Sequence, residues 1–205
     1  MTDTLQKDEI IIKEVIEAAK VLFQRYGLKK TTMEDIAKFV GKGKSTLYYY
    51  FPSKIEIFEA VIENEIRELF ESIEIAASKE VTARQKLKVY WLTRLQKLEK
   101  MCNLSQVLKE EIMDHAIAIF NLKRKHLHEE LALVKGFLIF GIENEEFRPE
   151  TEEHIEVLSR VIVASLRGFE LSNMEVFEME KDYIRHIDFL IDTFIGGIGI
   201  NASPV

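Results

Sequence analysis

Apolar residues recur through most of the chain with the 3.6-residue period of amphipathic helices. The first such pattern covers residues 8–26 and ends at Gly27, a residue that readily takes the left-handed conformation closing a helix. Thr31 or Thr32 can cap a second helix, because each stands three residues before an acidic one. Residues 44–51 are sufficient for only two turns of a third helix.

Pro52 ends this third helix, and Ser53-Lys54-Ile55-Glu56 forms a capping box that opens a fourth helix reaching about Ala77. A second cap, Thr82 with Gln85, opens the next pattern. We find no alternating strand pattern, and the sequence predicts further helices over 82–100, 105–115, 117–143, 151–172 and 180–195.

These patterns predict an all-α fold with a domain boundary near Pro52. Residues 1–52 form a three-helix domain, and residues 53–205 form a larger helical domain. Three short helices with a glycine-containing turn before the third fit a helix-turn-helix, in which the last helix enters the DNA major groove. Because such helix arrangements are common, the pattern by itself does not identify a DNA-binding protein.

Composition agrees with this fold and limits the compartment. With 47% hydrophobic residues, three prolines and nine glycines in 205 residues, the chain favours helices packed around a core. The lone Cys102 cannot form an intramolecular disulfide, and the N-terminus lacks the pattern of a secretory signal. The apolar stretch 193–205 is too short to span a bilayer. We therefore expect a cytoplasmic protein without a membrane partner.

The charge distribution favours a nucleic-acid partner at one place only. The whole chain has a net charge of -7, yet residues 24–54 carry seven basic and two acidic residues. This basic window concentrates the attraction for phosphate around the third predicted helix, whereas the acidic remainder discourages contact with DNA elsewhere.

No catalytic or metal-binding pattern competes with this interpretation. The run Gly41-Lys42-Gly43-Lys44-Ser45 is similar to the end of a P-loop, but Lys38 occupies a position that requires glycine and a helix precedes the run. His126 and His128 are two residues apart, which points them to different sides of a helix. We expect no enzyme, cofactor or metal, and an all-α enzyme is only a remote alternative.

A more specific signal covers about the first quarter of the chain. It resembles the signature of the TetR family of transcriptional regulators at Ala18-Ala19, Leu22-Phe23, Tyr26-Gly27, Thr31-Thr32-Met33, Asp35-Ile36-Ala37, Gly41, Lys44-Ser45-Thr46-Leu47-Tyr48-Tyr49-Tyr50-Phe51, Ser53-Lys54 and Ile57-Phe58. The resemblance implies a homodimer that binds double-stranded operator DNA and usually responds to a small-molecule effector.

The resemblance also implies roles for residues at matching positions. Thr32 and Thr46 are expected to offer hydroxyls or helix-start amides to phosphates, and Lys54 is expected to meet a phosphate. Tyr48 and Tyr50 are expected to touch the DNA backbone, although burial of Tyr50 is an equally favoured alternative. The candidates for contacts to base edges are Lys44, Ser45 and Tyr49.

Two residues depart from the family pattern. Gly43 stands at the cap of the recognition helix, where serine is frequent, and gives up a side-chain hydrogen bond. Phe39 stands where a polar residue is expected. Neither departure removes the resemblance.

The last two predicted helices are apolar over more than one narrow stripe, which indicates a second neighbour for each. In proteins that this chain resembles, such helices pair with their symmetry mates, whereas a wholly intramolecular core is the alternative. The predicted dimer-interface residues are Leu158, Ile162, Phe169, Ile187, Leu190 and Phe194.

Large apolar residues of the C-terminal domain are candidates for a small-molecule pocket, although each alone is also an ordinary core residue. Aromatic and methionine content favours a lipophilic effector. The predicted pocket residues are Trp91, Met101, Met113, Phe120, Phe137 and Phe140.

The sequence thus predicts a regulator whose dimer presents two recognition helices to a palindromic site, most simply as a repressor released by its effector. The alternative is an architectural or cell-division factor of the same fold that binds DNA without any inducer. The operator, the effector, the regulated genes and the sign of regulation are not predicted.

Overall fold

The computed structural model describes residues 2–103, 121–122, 124–176 and 183–199. The described part is helical, with one isolated antiparallel bridge between Phe147 and Gly199. No described helix is long and apolar enough to cross a membrane. The helices are α1 (Thr2–Tyr26), α2 (Met33–Phe39), α3 (Lys44–Tyr50), α4 (Lys54–Ala77), α5 (Ala83–Asn103), α6 (Leu127–Glu143), α7 (Ile155–Val176) and α8 (Tyr183–Ile198), with a 3₁₀ helix at Pro149–His154.

The described residues pack as two compact units, the first drawn from residues 1–67 and 102–125 and the second from 68–101 and 126–205. The division falls inside α4 because Ile57, Phe58, Val61 and Ile62 are buried in the core of the first unit. Packing assigns the first turns of α4 to the first unit. The domain boundary near Pro52 stays a prediction.

The first unit is built as its sequence predicts. Gly27 closes α1 with a φ of +83°, and its amide donates to the Phe23 carbonyl at 2.9 Å. Thr32, not Thr31, caps α2, because the Thr31 side chain is buried and donates to the Gly27 carbonyl at 2.7 Å. Gly41, with a φ of +65°, lies in the turn between α2 and α3. The core is formed chiefly by Val15, Ala19, Phe23, Leu28, Ile36, Leu47, Ile57 and Phe58.

The second unit buries apolar faces of α5, α6 and α7 together with the ends of α4 and α8. Thr82 caps the start of α5 as predicted, accepting a hydrogen bond from the Gln85 amide at 3.1 Å. Its largest fully buried apolar side chains are Ile73, Tyr90, Leu95, Leu138, Phe147 and Leu166.

Two predicted helices differ from the structure. The pattern over 117–143 predicts one helix, but the chain turns at His126, where the ring meets the Glu129 carboxylate at 2.7 Å, and α6 begins afterwards. The helix predicted from residue 151 begins as the 3₁₀ turn that Pro149 opens, and regular α-helix follows from Ile155. The helix predicted over 105–115 lies outside the described residues.

Candidate nucleic-acid interface

The start of α2 is fixed by a complete capping box. The Thr32 side chain accepts from the Asp35 amide at 3.1 Å, while the Asp35 carboxylate accepts from the Thr32 amide at 2.9 Å and from its hydroxyl at 2.7 Å. Hydrogen bonds from the Thr32 hydroxyl and then its amide hold the pKa of the Asp35 carboxyl below its ordinary value. Thr32 is exposed at this helix start, but its hydroxyl proton is already donated to Asp35.

Helix α3 separates an inner side from an outer side. Leu47 is buried in the first unit, whereas Lys44 and Ser45 are exposed and Thr46 is half-buried. Gly43 begins the helix without a side-chain hydrogen bond, as expected for glycine at this cap. A short, firmly anchored helix with polar side chains on its free surface is suited to insertion into a DNA groove.

Two tyrosines complete the outer side of α3. Tyr49 is 77% exposed and Tyr48 is 44% exposed, although aromatic side chains of this size are usually more deeply buried. Each combines an apolar ring with a hydroxyl that can reach a phosphate or a base edge. We name the surface formed by Lys44, Ser45, Tyr48 and Tyr49 the α3 face.

Tyr50 belongs to a different environment. Its hydroxyl donates to Asp8 Oδ1 at 2.6 Å, and its ring packs edge-on against Tyr49 with centroids 4.9 Å apart. The hydrogen bond to Asp8, then partial desolvation, raises the pKa of Tyr50 to about 12. The hydroxyl that is predicted to touch the DNA backbone is therefore engaged with Asp8 of α1, and the side chain is half-buried, so the DNA contact of Tyr50 stays a prediction.

Lys54 likewise has a structural role. Its ammonium group donates to the backbone carbonyls of Leu28 and Thr31, the latter at 2.7 Å, and lies 3.3 Å from the Lys29 carbonyl. These contacts tie the start of α4 to the turn between α1 and α2. A phosphate contact by Lys54 remains a prediction and would compete with these carbonyls for the same three N–H donors.

The basic window forms loose ion pairs within the unit. Lys44 Nζ lies 3.8 Å from the Glu34 carboxylate, and Lys42 Nζ lies 4.0 Å from that of Glu14. Pairs this long and exposed contribute little to stability, so both lysines are available to exchange a carboxylate for a phosphate.

The predicted effector pocket is not assembled as a group in the described part. Phe137 is buried core, and the half-buried Phe140 ring lies 4.7 Å from the Lys86 ammonium. Met113, Phe120 and the Met101 side chain lie outside what the structure describes. A cavity of about 140 Å³ does occur beside Trp91, lined by Leu87, Trp91, Ile162, Ser165, Leu190, Ile191, Phe194 and Ile195.

Burial corrects one residue of the predicted dimer interface, and the interface itself stays a prediction. Ile162 is only 4% exposed and lies in the core of its own protomer, so it cannot present a surface to a partner. Leu158 and Phe194 are half-buried, whereas Leu190 is 42% exposed at the cavity wall. The side chains of Phe169 and Ile187 lie outside the described set. Among the side chains that the structure describes in α7 and α8, the most exposed large apolar ones are Val157, Val161 and Phe189.

One cluster escaped prediction altogether. Glu130 on α6 is completely buried, and its carboxylate accepts from the Tyr90 hydroxyl at 2.6 Å and from the guanidinium groups of Arg94 and Arg167. The signal was an acid at position i of an apolar stripe that continues with Val134 and Phe137, but such a position does not identify its partners. Among the described residues no group of three or more His, Cys, Asp or Glu side chains is placed to hold a metal.

The bundle of α1–α3 with its polar α3 face defines a helix-turn-helix DNA-binding protein. Residues 15–61 match the tetR family of bacterial regulatory proteins. A crystal structure of a transcriptional regulator from Cytophaga hutchinsonii is 32% identical with a TM-score of 0.66, covering 90% of this chain and 96% of that one. The chain belongs to the TetR family of transcriptional regulators.

The curated relatives match different shares of this chain. The nucleoid occlusion factor SlmA of Actinobacillus pleuropneumoniae is 34% identical over 82 residues, which cover 40% of this chain and 41% of that protein. The fatty acid metabolism regulator protein of Bacillus subtilis is 21% identical over 186 residues, covering 90% of this chain and 94% of that protein. Matches to the first three curated relatives span only 27–41% of their lengths.

Proposed function

We propose that this regulator is a homodimeric repressor whose α3 face reads a palindromic operator and whose C-terminal unit releases DNA when it binds a lipophilic small molecule. The observation that carries the DNA-binding half is the α3 face itself. Leu47 is buried inside the unit, whereas Tyr48 and Tyr49 are exposed on the same face as Lys44. Packing within the unit does not explain the 77% exposure of Tyr49.

Selection of bound fragments from the source genome tests this half directly. Replacing Lys44 with Ala should lower the affinity for the selected fragment about tenfold or more and alter the base preference, because bidentate base contacts each contribute roughly 1–3 kcal/mol to binding. Lys79→Ala removes an equal charge from an exposed position beyond α4 and serves as the matched control. Equal loss of affinity for selected and random DNA in the Lys44 variant would remove that lysine from the readout.

The dimer is proposed to form through α7 and α8. Val157 and Val161 lie four residues apart on α7, at 62% and 46% exposure, and Phe189 on α8 is 70% exposed. Such apolar surface is typical of an interface between copies. Val161→Glu should convert a micromolar dimer to monomer in sedimentation velocity, whereas Val81→Glu, at a site 78% exposed between α4 and α5, should not. A dimer that tolerates the Val161 change would contradict this assignment.

The effector half is proposed from the cavity beside Trp91 and from the relative named for fatty acid metabolism. Helix α4 supplies Ile57 and Phe58 to the core of the first unit and Ile73 and Ala77 to that of the second, so we propose that it transmits the response. A 100-fold loss of operator affinity requires about 2.7 kcal/mol of differential binding.

Dodecanoate is the first probe for the effector half. Because Trp91 is the single tryptophan of the chain and lines the cavity, binding should change its fluorescence. Saturating operator DNA should lower the affinity for dodecanoate by the same factor by which saturating dodecanoate lowers the affinity for operator DNA. A lipophilic ligand whose affinity is indifferent to operator would eliminate the release mechanism while leaving DNA binding intact.

A second candidate function is favoured by the similarity to SlmA. That match, 34% over 82 residues and 40% of this chain, supports as the alternative a DNA-binding cell-division factor that acts without an inducer. The genomic selection separates the two functions. A repressor should enrich a few promoter sites, whereas a DNA-binding cell-division factor should enrich many sites dispersed over the chromosome.

A further inference from the structure

The first unit carries a groove outside the α3 face. It is an open cavity of about 520 Å³ between the end of α1 and one flank of α2. No residue of the α3 face contributes to its wall. The lining residues are Leu22, Tyr26, Lys30, Thr31, Asp35, Lys38 and Phe39, and we name this surface the α1/α2 groove.

Two aromatic side chains give the groove an apolar surface. Phe39 is 57% exposed and Tyr26 is 46% exposed, and both line the groove together with the buried Leu22. Phe39 is also the residue at which the sequence departs from the polar side chain expected there. Leaving such apolar area in water forfeits roughly 25 cal/mol for every Å² that a partner could cover.

The groove lies away from α3 around the axis of α2. Glu34 marks the flank near α3, because its carboxylate is 3.8 Å from Lys44 Nζ. Phe39 follows five residues later, which at 3.6 residues per turn places it roughly 140° round the helix from Glu34. Lys38 lies only roughly 40° from Glu34, so the groove begins near this flank and extends away from it towards Phe39. Because no residue of the α3 face lines the groove, Phe39 can be covered without covering the α3 face.

The charged groups at the rim decide which occupant fits. Lys30 and Lys38 line the groove, and the Arg25 guanidinium lies 5.1 Å from the centre of the Tyr26 ring. The single carboxylate in the wall, Asp35, has both an amide and a hydroxyl of Thr32 as hydrogen-bond donors and is committed to capping α2. The rim is thus basic, and its complement is an acidic partner.

We propose that the α1/α2 groove docks an acidic amphipathic segment of a partner protein, with an apolar side chain seated against Phe39 and Tyr26 and carboxylates facing Lys30 and Lys38. DNA phosphates match the lysines but offer nothing to the exposed aromatic rings. A helical segment laying its apolar face into a groove, with acidic residues at the edge, satisfies both features. This proposal is independent of the effector and goes beyond DNA binding.

A designed peptide tests the proposal with the full-length chain. The probe is a fluorescent amphipathic peptide of about 16 residues, with leucine at positions i, i+3, i+4 and i+7 and glutamate on its polar face. Its lysine counterpart tests charge. We expect the glutamate peptide to bind at least tenfold more tightly than the lysine peptide, as measured by anisotropy. Failure of the glutamate peptide to bind at about 1 mM would overturn the proposal.

Matched variants locate the binding site. Phe39→Ser should weaken the glutamate peptide at least tenfold, whereas Ile10→Ser, at a side chain equally 57% exposed in the same unit, should not. Replacing both Lys30 and Lys38 with Gln should weaken the glutamate peptide and leave a neutral, serine-substituted peptide unchanged. Equal effects of the Phe39 and Ile10 changes would overturn the assignment, as would peptide binding that survives both groove variants.

Two further readouts distinguish other occupants. Phe39→Ser should leave operator affinity within about twofold of the parent, since the groove lies off the α3 face. A loss of operator affinity as large as that of Lys44→Ala would place the groove in the DNA interface and overturn the proposal. A change in oligomeric state by sedimentation would assign the groove to a second copy of the chain, with the same consequence.

Discussion

Glu130 shows how a single residue organises the C-terminal unit. Its buried carboxylate joins Tyr90 and Arg94 of α5 to Arg167 of α7, so three helices meet at one charge. Glu130→Gln removes that charge while keeping the side-chain volume. Because breaking a buried ion pair leaves its cations poorly compensated, we expect a loss of about 3 kcal/mol in the free energy of unfolding by urea.

The control for this change is Glu156→Gln on the exposed side of α7, where the carboxylate contacts Lys135 at the surface. Exposed pairs of this kind contribute little, so the urea midpoint should stay within experimental error. If both variants unfolded at the same urea concentration as the parent, the buried cluster would have no stabilising role.

Tyr50 provides a prediction in alkaline solution. Its hydrogen bond to Asp8 raises the pKa to about 12 from an ordinary 10.0, so the contribution to stability is complete below pH 10 and is lost as the pH rises through 12. The tyrosinate absorbance lost on Tyr50→Phe substitution should therefore titrate near 12. Asp8→Asn should lower that value towards 10.0. A difference spectrum that titrates near the ordinary value in the parent would exclude the hydrogen bond in solution.

Single residues also show where sequence reasoning stops. Local spacing predicts the Ser53 cap and restricts the cap of α2 to Thr31 or Thr32, and the structure contains the hydrogen bonds of Ser53 and Thr32. The partners of Tyr50 and Lys54 could not be predicted this way, because Asp8 is 42 residues from Tyr50 and the Leu28 carbonyl is 26 residues from Lys54. Long-range pairing depends on tertiary packing, which periodicity does not encode.

At the level of helices, two glycines of α6 differ in their surroundings, since Gly141 is closely packed and Gly136 is not. A Cβ added at Gly141 would overlap the Phe147 ring and approach the Ala83 Cβ at 2.8 Å, whereas one at Gly136 would meet nothing within 4 Å. Gly141→Ala should therefore destabilise the chain by about 1–3 kcal/mol through overpacking. Gly136→Ala should stabilise it by about 0.5–1 kcal/mol, because alanine is the better helix former.

Thermal or urea unfolding of the two glycine variants provides the comparison. If the unfolding midpoint falls for Gly141→Ala and rises for Gly136→Ala, close packing rather than helix propensity explains why residue 141 is glycine. Stabilisation by both alanines would instead mean that Phe147 can move aside without cost.

Helix boundaries were predictable where they depend on local signals and not where a turn interrupts a continuous pattern. Gly27, Pro52 and the Thr82 cap stop or start helices as expected. The break at His126 has no glycine or proline to announce it. On α7, Val161 and Ile162 are adjacent apolar residues, and only packing shows that Ile162 is the buried one.

Across the whole molecule, the charge asymmetry links fold to function. A chain of net charge -7 presents the basic window of residues 24–54 on the unit that carries α3. The acidic remainder limits nonspecific contact, so attraction to phosphate is concentrated beside the helix that is proposed to read bases. The fold class and this asymmetry were predictable from composition and pattern, but the chemistry of the proposed effector depends on side-chain arrangements that they do not specify.

The salt dependence of operator binding tests the central claim most directly. For the genome-selected fragment, a plot of log affinity against log salt concentration should be linear with a slope of about -4 or steeper, because several phosphate counterions are released on binding. Lys44→Ala should make the slope shallower, and Lys79→Ala should leave it unchanged. A flat salt response, or no preference for the selected fragment over random DNA at physiological salt, would contradict DNA recognition through the α3 face.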